Sequence, residues 1–255
     1  MAEEQKTNIW PWETAGPTGE FWAKFDDNHG HIGRQFLHVF TADEIAAFPL
    51  DASLSQEDKM EQLYTVTKAA LAERSVHAAT DAELLPREEW VQWLHAGHLL
   101  ASLESHTKRY ETAEQRVIAE NDLWKKRYAL GNDPEMKVPV SISALSNLSW
   151  IYLKAGKPAE AEAISRDLPA LLRSTPLLGP GPSPQELGSR RSLMEALAKQ
   201  GKYEEAKKLN EEGYAVIAEL AKGKFAKYEQ EEIEAMDEVK GNLKIWSAAA
   251  VATRV

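Results

Sequence analysis

The histidines are the side chains of this sequence best suited to chemistry, and six of the seven fall in two groups. In one group, which also contains His106, His95 and His98 are three residues apart. This spacing places both imidazoles on one face of a helix, where they could share a metal ion or act as acid and base. No HExxH pattern and no evident further ligand accompany the pair. The simpler interpretation is that each imidazole lies on a polar helix face or bonds a neighbouring carbonyl group.

The other group lies in the segment 26–38, which reads DDNHGHIGRQFLH and contains His29, His31 and His38. A His-x-His spacing on an extended segment can chelate a metal, and a neighbouring aspartate could complete the site. The alternative is an Asn- and Gly-rich turn that contains two histidines by chance, and we favour it. We therefore predict no metal and no cofactor, and keep these three histidines only as metal-site candidates.

Composition excludes several classes of protein. The chain has 255 residues, with 40 Asp and Glu against 30 Lys and Arg. The resulting charge of −10 argues against binding to nucleic acid or to anionic membranes, because phosphates require clustered cations. No run approaches the roughly 18 apolar residues of a membrane span. The absence of cysteine excludes disulfides, thiol nucleophiles and cysteine-ligated zinc. The acidic start lacks a secretion signal, so we expect a cytoplasmic protein.

Helical periodicity dominates the chain after residue 55, and no segment shows the alternation that is typical of a half-buried strand. Ser55 followed by Asp58 predicts one helix start, and Pro86 with acidic residues after it predicts another. Proline and glycine interrupt the helical pattern at 131–134 and 174–184. The fold class is therefore predicted to be all-α. Helices are predicted over 86–106, 109–129, 141–155, 158–173, 184–200, 203–222 and 225–240.

Residues 1–50 differ from the rest of the chain, because they hold eight of the 21 aromatic residues and are interrupted early by proline and glycine. Trp and Phe lose most by staying in water, so we predict an irregular arm that packs on the rest of the protein. The predicted organisation is this arm, a helical domain over 51–240 and a tail over 241–255.

Two helix pairs, at 144–168 and 189–213, have similar sequences. Each has a leucine eight residues before a turn glycine and an alanine five residues after it. These residues are Leu148, Gly156 and Ala161 in one pair, and Leu193, Gly201 and Ala206 in the other. The glycine ends the first helix where φ turns positive, and the alanine lets two helices approach closely. This pattern resembles the tetratricopeptide repeat family, whose unit is a helix–turn–helix of about 34 residues.

The resemblance implies a right-handed α-solenoid with repeat units at about 90–122, 141–173 and 186–221, capped by a helix at 225–240. In the weaker first unit, Lys108 takes the place of the turn glycine. The first helices of such units line a concave groove, which is the usual binding site. The groove positions are His95, His98, Ser102, Ser105, His106, Ser143, Ser146, Asn147, Trp150, Lys154, Arg191, Glu195 and Lys199.

Two functions follow from this groove. The leading one is a non-catalytic binding or scaffold protein that docks a protein or peptide partner, with Trp150 as anchor and Asn147 holding the ligand backbone. Only Asn147 matches the groove residues with which some repeats clamp a chaperone tail, so we do not predict that partner. The alternative is a small-molecule-binding protein or enzyme in which the arm covers the groove. His95, His98 and His38 would then supply acid/base or metal chemistry. We favour the non-catalytic function.

Overall fold

The structure is a computed structural model, and it describes the residue ranges 15–25, 30–74, 81–131, 133, 135–175, 178 and 181–252. All regular elements in these ranges are helices, which confirms the predicted all-α class. The chain divides into two compact units, Met1–Ala113 (unit 1) and Glu114–Val255 (unit 2). None of the helices in the described ranges is long and apolar enough to cross a membrane.

Unit 1 contains helices from both the predicted arm and the start of the predicted helical domain. They are α1 (Glu20–Ala23), α2 (Gly30–Val39), α3 (Ala42–Ala47), α4 (Gln56–Ala72) and α5 (Arg87–His106), and a short 3-10 helix at Ala82–Leu84 precedes α5. A further helix, α6 (Tyr110–Leu130), begins in unit 1 and continues into unit 2.

The arm is therefore largely helical in its described part, where the sequence predicted irregular structure. Thr41 and Glu44 form a capping box that starts α3: the Thr41 hydroxyl accepts from the Glu44 N–H at 3.3 Å, and the Thr41 N–H donates to the Glu44 carboxylate at 2.7 Å. Such reciprocal bonds satisfy backbone donors that a helix start leaves unpaired. This signal, Thr-x-x-Glu, can be read from the sequence at 41–44.

The core of unit 1 joins the aromatic residues of the arm to α4 and α5. Phe21, Ile32 and Phe36 are buried together with Leu63 of α4 and Leu99 of α5. Each fully buried side chain of this size contributes roughly 1.5–3 kcal/mol through the hydrophobic effect. The described aromatic residues of the arm are therefore an integral part of this core.

Unit 2 contains the helices of the repeat pattern. They are α7 (Ile142–Lys154), α8 (Pro158–Ser165), α9 (Leu168–Ser174), α10 (Pro184–Lys199), α11 (Tyr203–Leu220) and α12 (Glu229–Ala252). Packing follows the chain order apart from the short α9: α7 contacts α8, α8 contacts α10, α10 contacts α11, and α11 contacts α12. This order of contacts is what a stack of helix pairs requires.

The turn glycines adopt the backbone that the repeat pattern predicts. Gly156 has φ 73° and Gly201 has φ 77°, both in the left-handed region that favours glycine. The alanines after these turns, Ala161 and Ala206, are fully buried. Ala161 packs with Leu153 of α7 and Ala196 of α10. A small side chain is therefore needed here, because three helices meet at this point.

Lys108 lies at the position where the weaker first unit lacks a glycine, and its φ is 61°. The N–H of Arg109 then donates to the carbonyl oxygen of Glu104 at 2.7 Å, which closes the end of α5. A left-handed backbone at a residue with a Cβ costs about 1–2 kcal/mol. Lys108 thus adopts the conformation of the missing glycine in spite of that cost.

Two predicted helices have different bounds in the structure. The predicted helix 158–173 is divided into α8 and α9, because Pro169 lacks an N–H and its ring would clash with the preceding turn of a continuous helix. In the other case the helix predicted to end at 240 continues to Ala252 as α12. Gly241 lies inside it at a cost of only about 1 kcal/mol, and the next turn is held by the buried Leu243.

Candidate functional site

The predicted groove residues of unit 2 lie on α7 and α10, and we call this surface the α7–α10 face. It consists of Ser143, Ser146, Asn147, Trp150, Lys154, Arg191, Glu195 and Lys199. Ser141 starts α7 by accepting the Ala144 N–H at 3.2 Å. The Lys199 ammonium donates to the carbonyl oxygen of Leu153 at 3.1 Å and so links α10 to the end of α7. The face is therefore built on two helices that contact each other.

Trp150 is the most prominent residue of the α7–α10 face, and 47% of it is exposed. Its neighbours in the chain, Ser149 and Ile151, are buried, so the packing of α7 directs the indole outward. Asn147, one turn earlier on the same side of α7, is half-buried. Its side-chain amide forms no hydrogen bond with any residue that the structure describes. An exposed indole beside a side-chain amide without an intramolecular hydrogen bond can be used by a surface that binds a polypeptide.

The charged residues of the face form two different kinds of ion pair, one nearly buried and one on the surface. The guanidinium of Arg191 donates to the carboxylate of Glu232 on α12, and the Glu232 side chain is almost completely buried. Burial raises the pKa of Glu232, while the charge of Arg191 acts in the opposite direction. Arg191 therefore holds α12 against α10 in addition to bordering the face. Glu195 and Lys199 form an i, i+4 ion pair at 2.8 Å on the surface.

The predicted groove residues of unit 1 lie on α5, and α2 packs against this helix. Two pairs of histidine rings meet between α2 and α5: His38 and His95 with ring centroids 5.0 Å apart, and His31 and His106 at 5.6 Å. Sequence analysis placed these histidines in separate groups, and the structure brings them together. We call the set of His31, His38, His95, His98 and His106 the histidine cluster.

Within the histidine cluster, the pKa of His95 is lowered to about 4. Burial of the ring is the largest cause, followed by the charges of His38 and His98, and a hydrogen bond to the backbone of His38 has the opposite effect. The His95 imidazole is therefore neutral at pH 7. A neutral imidazole with such a low pKa is a weak general base.

Other predicted residues on α5 and α2 have less prominent positions. Ser102 is half-buried, while Ser105 is buried in the packing of α5. His29 lies outside the described residues, so its pairing with His31 stays a prediction. Among the side chains that the structure describes, no three His, Cys, Asp or Glu residues are grouped so that they could hold a metal ion.

Sequence analysis missed a pocket on the opposite side of α10, lined by Arg166, Arg173 and Arg190 among other residues. Arg166 directly follows α8, Arg173 and Arg190 lie on α9 and α10, and their spacing in the sequence matches no motif. The one local signal is the i, i+4 spacing of Glu186 and Arg190, which predicts an ion pair on α10.

Comparison with known proteins supports the repeat at one place in the chain. Residues 141–168 match a family model described as Tetratricopeptide repeat. The match covers α7, the turn at Gly156 and α8, and it confirms the resemblance to this family for the predicted second unit. No curated protein and no solved structure matches the chain.

Proposed function

We propose that this chain is a non-catalytic binding protein that docks a protein or peptide partner on its α7–α10 face. Tetratricopeptide repeats generally mediate protein–protein interaction. Residues 141–168 match such a repeat, and α7 is its first helix. The observation that carries the proposal is the exposed indole of Trp150 on this repeat.

The exposure of Trp150 allows the binding energy to be estimated. A Trp side chain can bury up to about 250 Å², so the exposed fraction corresponds to roughly 100 Å². At about 25 cal/mol per Å², covering this area would contribute about 2.5 kcal/mol. A contribution of this size is what alanine scanning finds at the few residues that dominate an interface.

The polar groups around Trp150 suggest the form of the partner. The Asn147 amide offers a donor and an acceptor, which suit the backbone of an extended segment. Lys154, one turn after Trp150, is exposed and suits an acidic side chain at the rim. The partner is therefore an extended segment with an apolar anchor for Trp150 and an acidic residue beside it.

The test is affinity capture from a lysate of the source cells with three immobilised baits: wild type, Trp150→Ala and Tyr128→Ala. Tyr128 is an exposed aromatic residue on α6, outside the α7–α10 face, and serves as the matched control. We expect mass spectrometry to find a polypeptide that wild type and Tyr128→Ala retain and that Trp150→Ala loses. Equal retention of the polypeptide by all three baits would exclude the α7–α10 face as the docking site. If no polypeptide is retained by folded baits, the docking function is wrong.

A second candidate function, a small-molecule-binding protein or enzyme, is supported by the histidine cluster. His38 and His95 are in ring contact, and a substrate bound beside this pair could exchange a proton with an imidazole of the cluster. A metal-dependent form of this function is tested by the thermal midpoint of unfolding with and without a chelator. A bound metal would make the midpoint fall on chelation, because a ligand stabilises the state that binds it. An unchanged midpoint would eliminate the metal-dependent form.

A further inference from the structure

A pocket of about 590 Å³ opens in unit 2 on the side of α10 away from the α7–α10 face. From α10 it is lined by Glu186, Arg190 and Leu193, whose spacing of four and three residues places them on one side of the helix. At about 100° per residue, Arg191 and Glu195 lie roughly half a turn away from this side. We call this cavity the arginine pocket, and it is separate from the proposed docking face.

The arginine pocket has an apolar interior. Leu193 of α10 and Val216 of α11 are both buried and form part of its lining, and Leu209 of α11 adds a half-buried side chain. Pro169 and Ala170 of α9 contribute further apolar surface. A concave apolar cavity of several hundred Å³ with a few polar groups is the usual form of a small-molecule site.

Two guanidinium groups in the pocket are fixed by one buried carboxylate. Glu186 is fully buried, and its carboxylate accepts from Nε of Arg173 at 2.6 Å and from Nε of Arg190 at 3.0 Å. Glu186 neutralises one of these two positive charges, and Glu219, which accepts from Arg173, neutralises the other. Because both arginines are already oriented by Glu186, a ligand would not have to order them, which favours binding.

The carboxylates of Glu219 and Glu205 are held more weakly than that of Glu186. Arg173 also donates to Glu219 at 3.2 Å, and the Glu219 side chain is 52% exposed. Arg166 donates to the nearly buried Glu162 at 3.0 Å and to Glu205 at 2.8 Å, the latter between half-exposed side chains. Exposed ion pairs of this kind contribute little to stability. A carboxylate from a ligand could therefore replace Glu219 at Arg173 at small cost, while Glu186 stays in place.

We propose that the arginine pocket binds a small monocarboxylate with an aliphatic body. The ligand carboxylate pairs with Arg173 and Arg190, because a planar guanidinium matches a carboxylate with two parallel hydrogen bonds. The aliphatic body lies over Leu193 and Val216. This activity is independent of the proposed protein docking, because the two sites lie on opposite sides of α10.

The test uses octanoate as the probe, with 1-octanol and acetate as comparison ligands, in isothermal titration calorimetry of the full chain. We expect octanoate to bind at one site, because it combines the carboxylate with an eight-carbon body. Octanol lacks the charge and acetate lacks the aliphatic body, so each is expected to bind roughly tenfold more weakly or worse. Absence of octanoate binding, or equally tight binding of octanol, would overturn the proposal.

Substitutions inside and outside the arginine pocket test where octanoate binds. Ala170→Trp fills the pocket from α9 and is expected to abolish octanoate binding, while Ala163→Trp is the matched control on an exposed position of α8 outside the pocket. Arg190→Gln is expected to weaken octanoate at least about tenfold. If Arg190→Gln does not fold, because Glu186 loses a partner, Ala170→Trp alone decides. Octanoate binding that survives Ala170→Trp would contradict the proposal. Trp150→Ala is expected to retain octanoate.

Discussion

His95 offers a direct test of how α2 packs on α5. Its pKa is about 4 in the folded protein, against about 6.5 for a histidine in an unfolded chain. Between these two values the unfolded state binds more protons than the folded state. His95 therefore contributes its full stabilisation above about pH 6.5 and loses it as the pH falls through 4. We therefore expect that lowering the pH will weaken the packing of α2 on α5.

The magnitude follows from the pKa shift. A shift from 6.5 to about 4 corresponds to about 3.4 kcal/mol once the pH is below both values, at about 1.36 kcal/mol per unit. At pH 4.5 about 2.6 kcal/mol of this would already be lost. The ring is partly exposed, and solvent screening reduces such contributions, so we halve the figure to about 1.3 kcal/mol.

The assay is urea unfolding of the full chain at pH 7 and pH 4.5, for wild type and for His95→Gln. Glutamine keeps a polar side chain but does not titrate, so the free energy of unfolding should fall by about 1.3 kcal/mol less in the variant. An NMR titration of the His95 imidazole gives its pKa directly. His38→Gln is the companion variant, and it should raise the pKa of His95 only partly, because burial is the larger cause.

Two results would refute this reasoning. One is an NMR pKa for His95 at or above 6.5, which would mean that the ring is not buried against α2. The other is an equal loss of stability in wild type and His95→Gln between pH 7 and pH 4.5, which would assign the acid sensitivity to other groups.

Three further substitutions test the backbone turns and the ion pair of Arg191. Lys108→Gly should raise the free energy of unfolding by about 1 kcal/mol, because φ 61° suits glycine, and a lower thermal midpoint would contradict this. Gly201→Ala should lower it by about 1–2 kcal/mol from φ 77° alone, since no atom crowds the added Cβ; unchanged urea unfolding would disprove the strain. Arg191→Gln should cost about 3 kcal/mol by leaving Glu232 buried without its cation, and the loss should be smaller in Arg191→Gln/Glu232→Gln.

The repeat turns could be predicted because their signals are local. A glycine with positive φ and a buried alanine five residues later require particular residue types, whatever the rest of the chain does. Gly156 and Ala161 show this in one pair, and Gly201 and Ala206 show it in the other. Ser55 at the start of α4 is a similar case, since its hydroxyl accepts from the Asp58 N–H three residues away.

The features that sequence analysis missed depend on residues far apart in the chain. Arg191 was placed in the groove, but its partner Glu232 lies 41 residues later on another helix. The arginine pocket combines side chains from α8 to α11, and no spacing within one helix indicates that they converge. The break at Pro169, by contrast, has a local signal, because proline lacks the N–H that a continuous helix over 158–173 would need.

The ion pair between Arg191 and Glu232 couples the binding of a partner to the uptake of a proton. A partner carboxylate that engaged Arg191 on the α7–α10 face would draw the guanidinium away from Glu232. Burial already raises the pKa of Glu232, and loss of the cation would raise it further, so the carboxyl would take up a proton. Binding of an acidic partner through Arg191 would then be accompanied by proton uptake, and its affinity would increase as the pH falls.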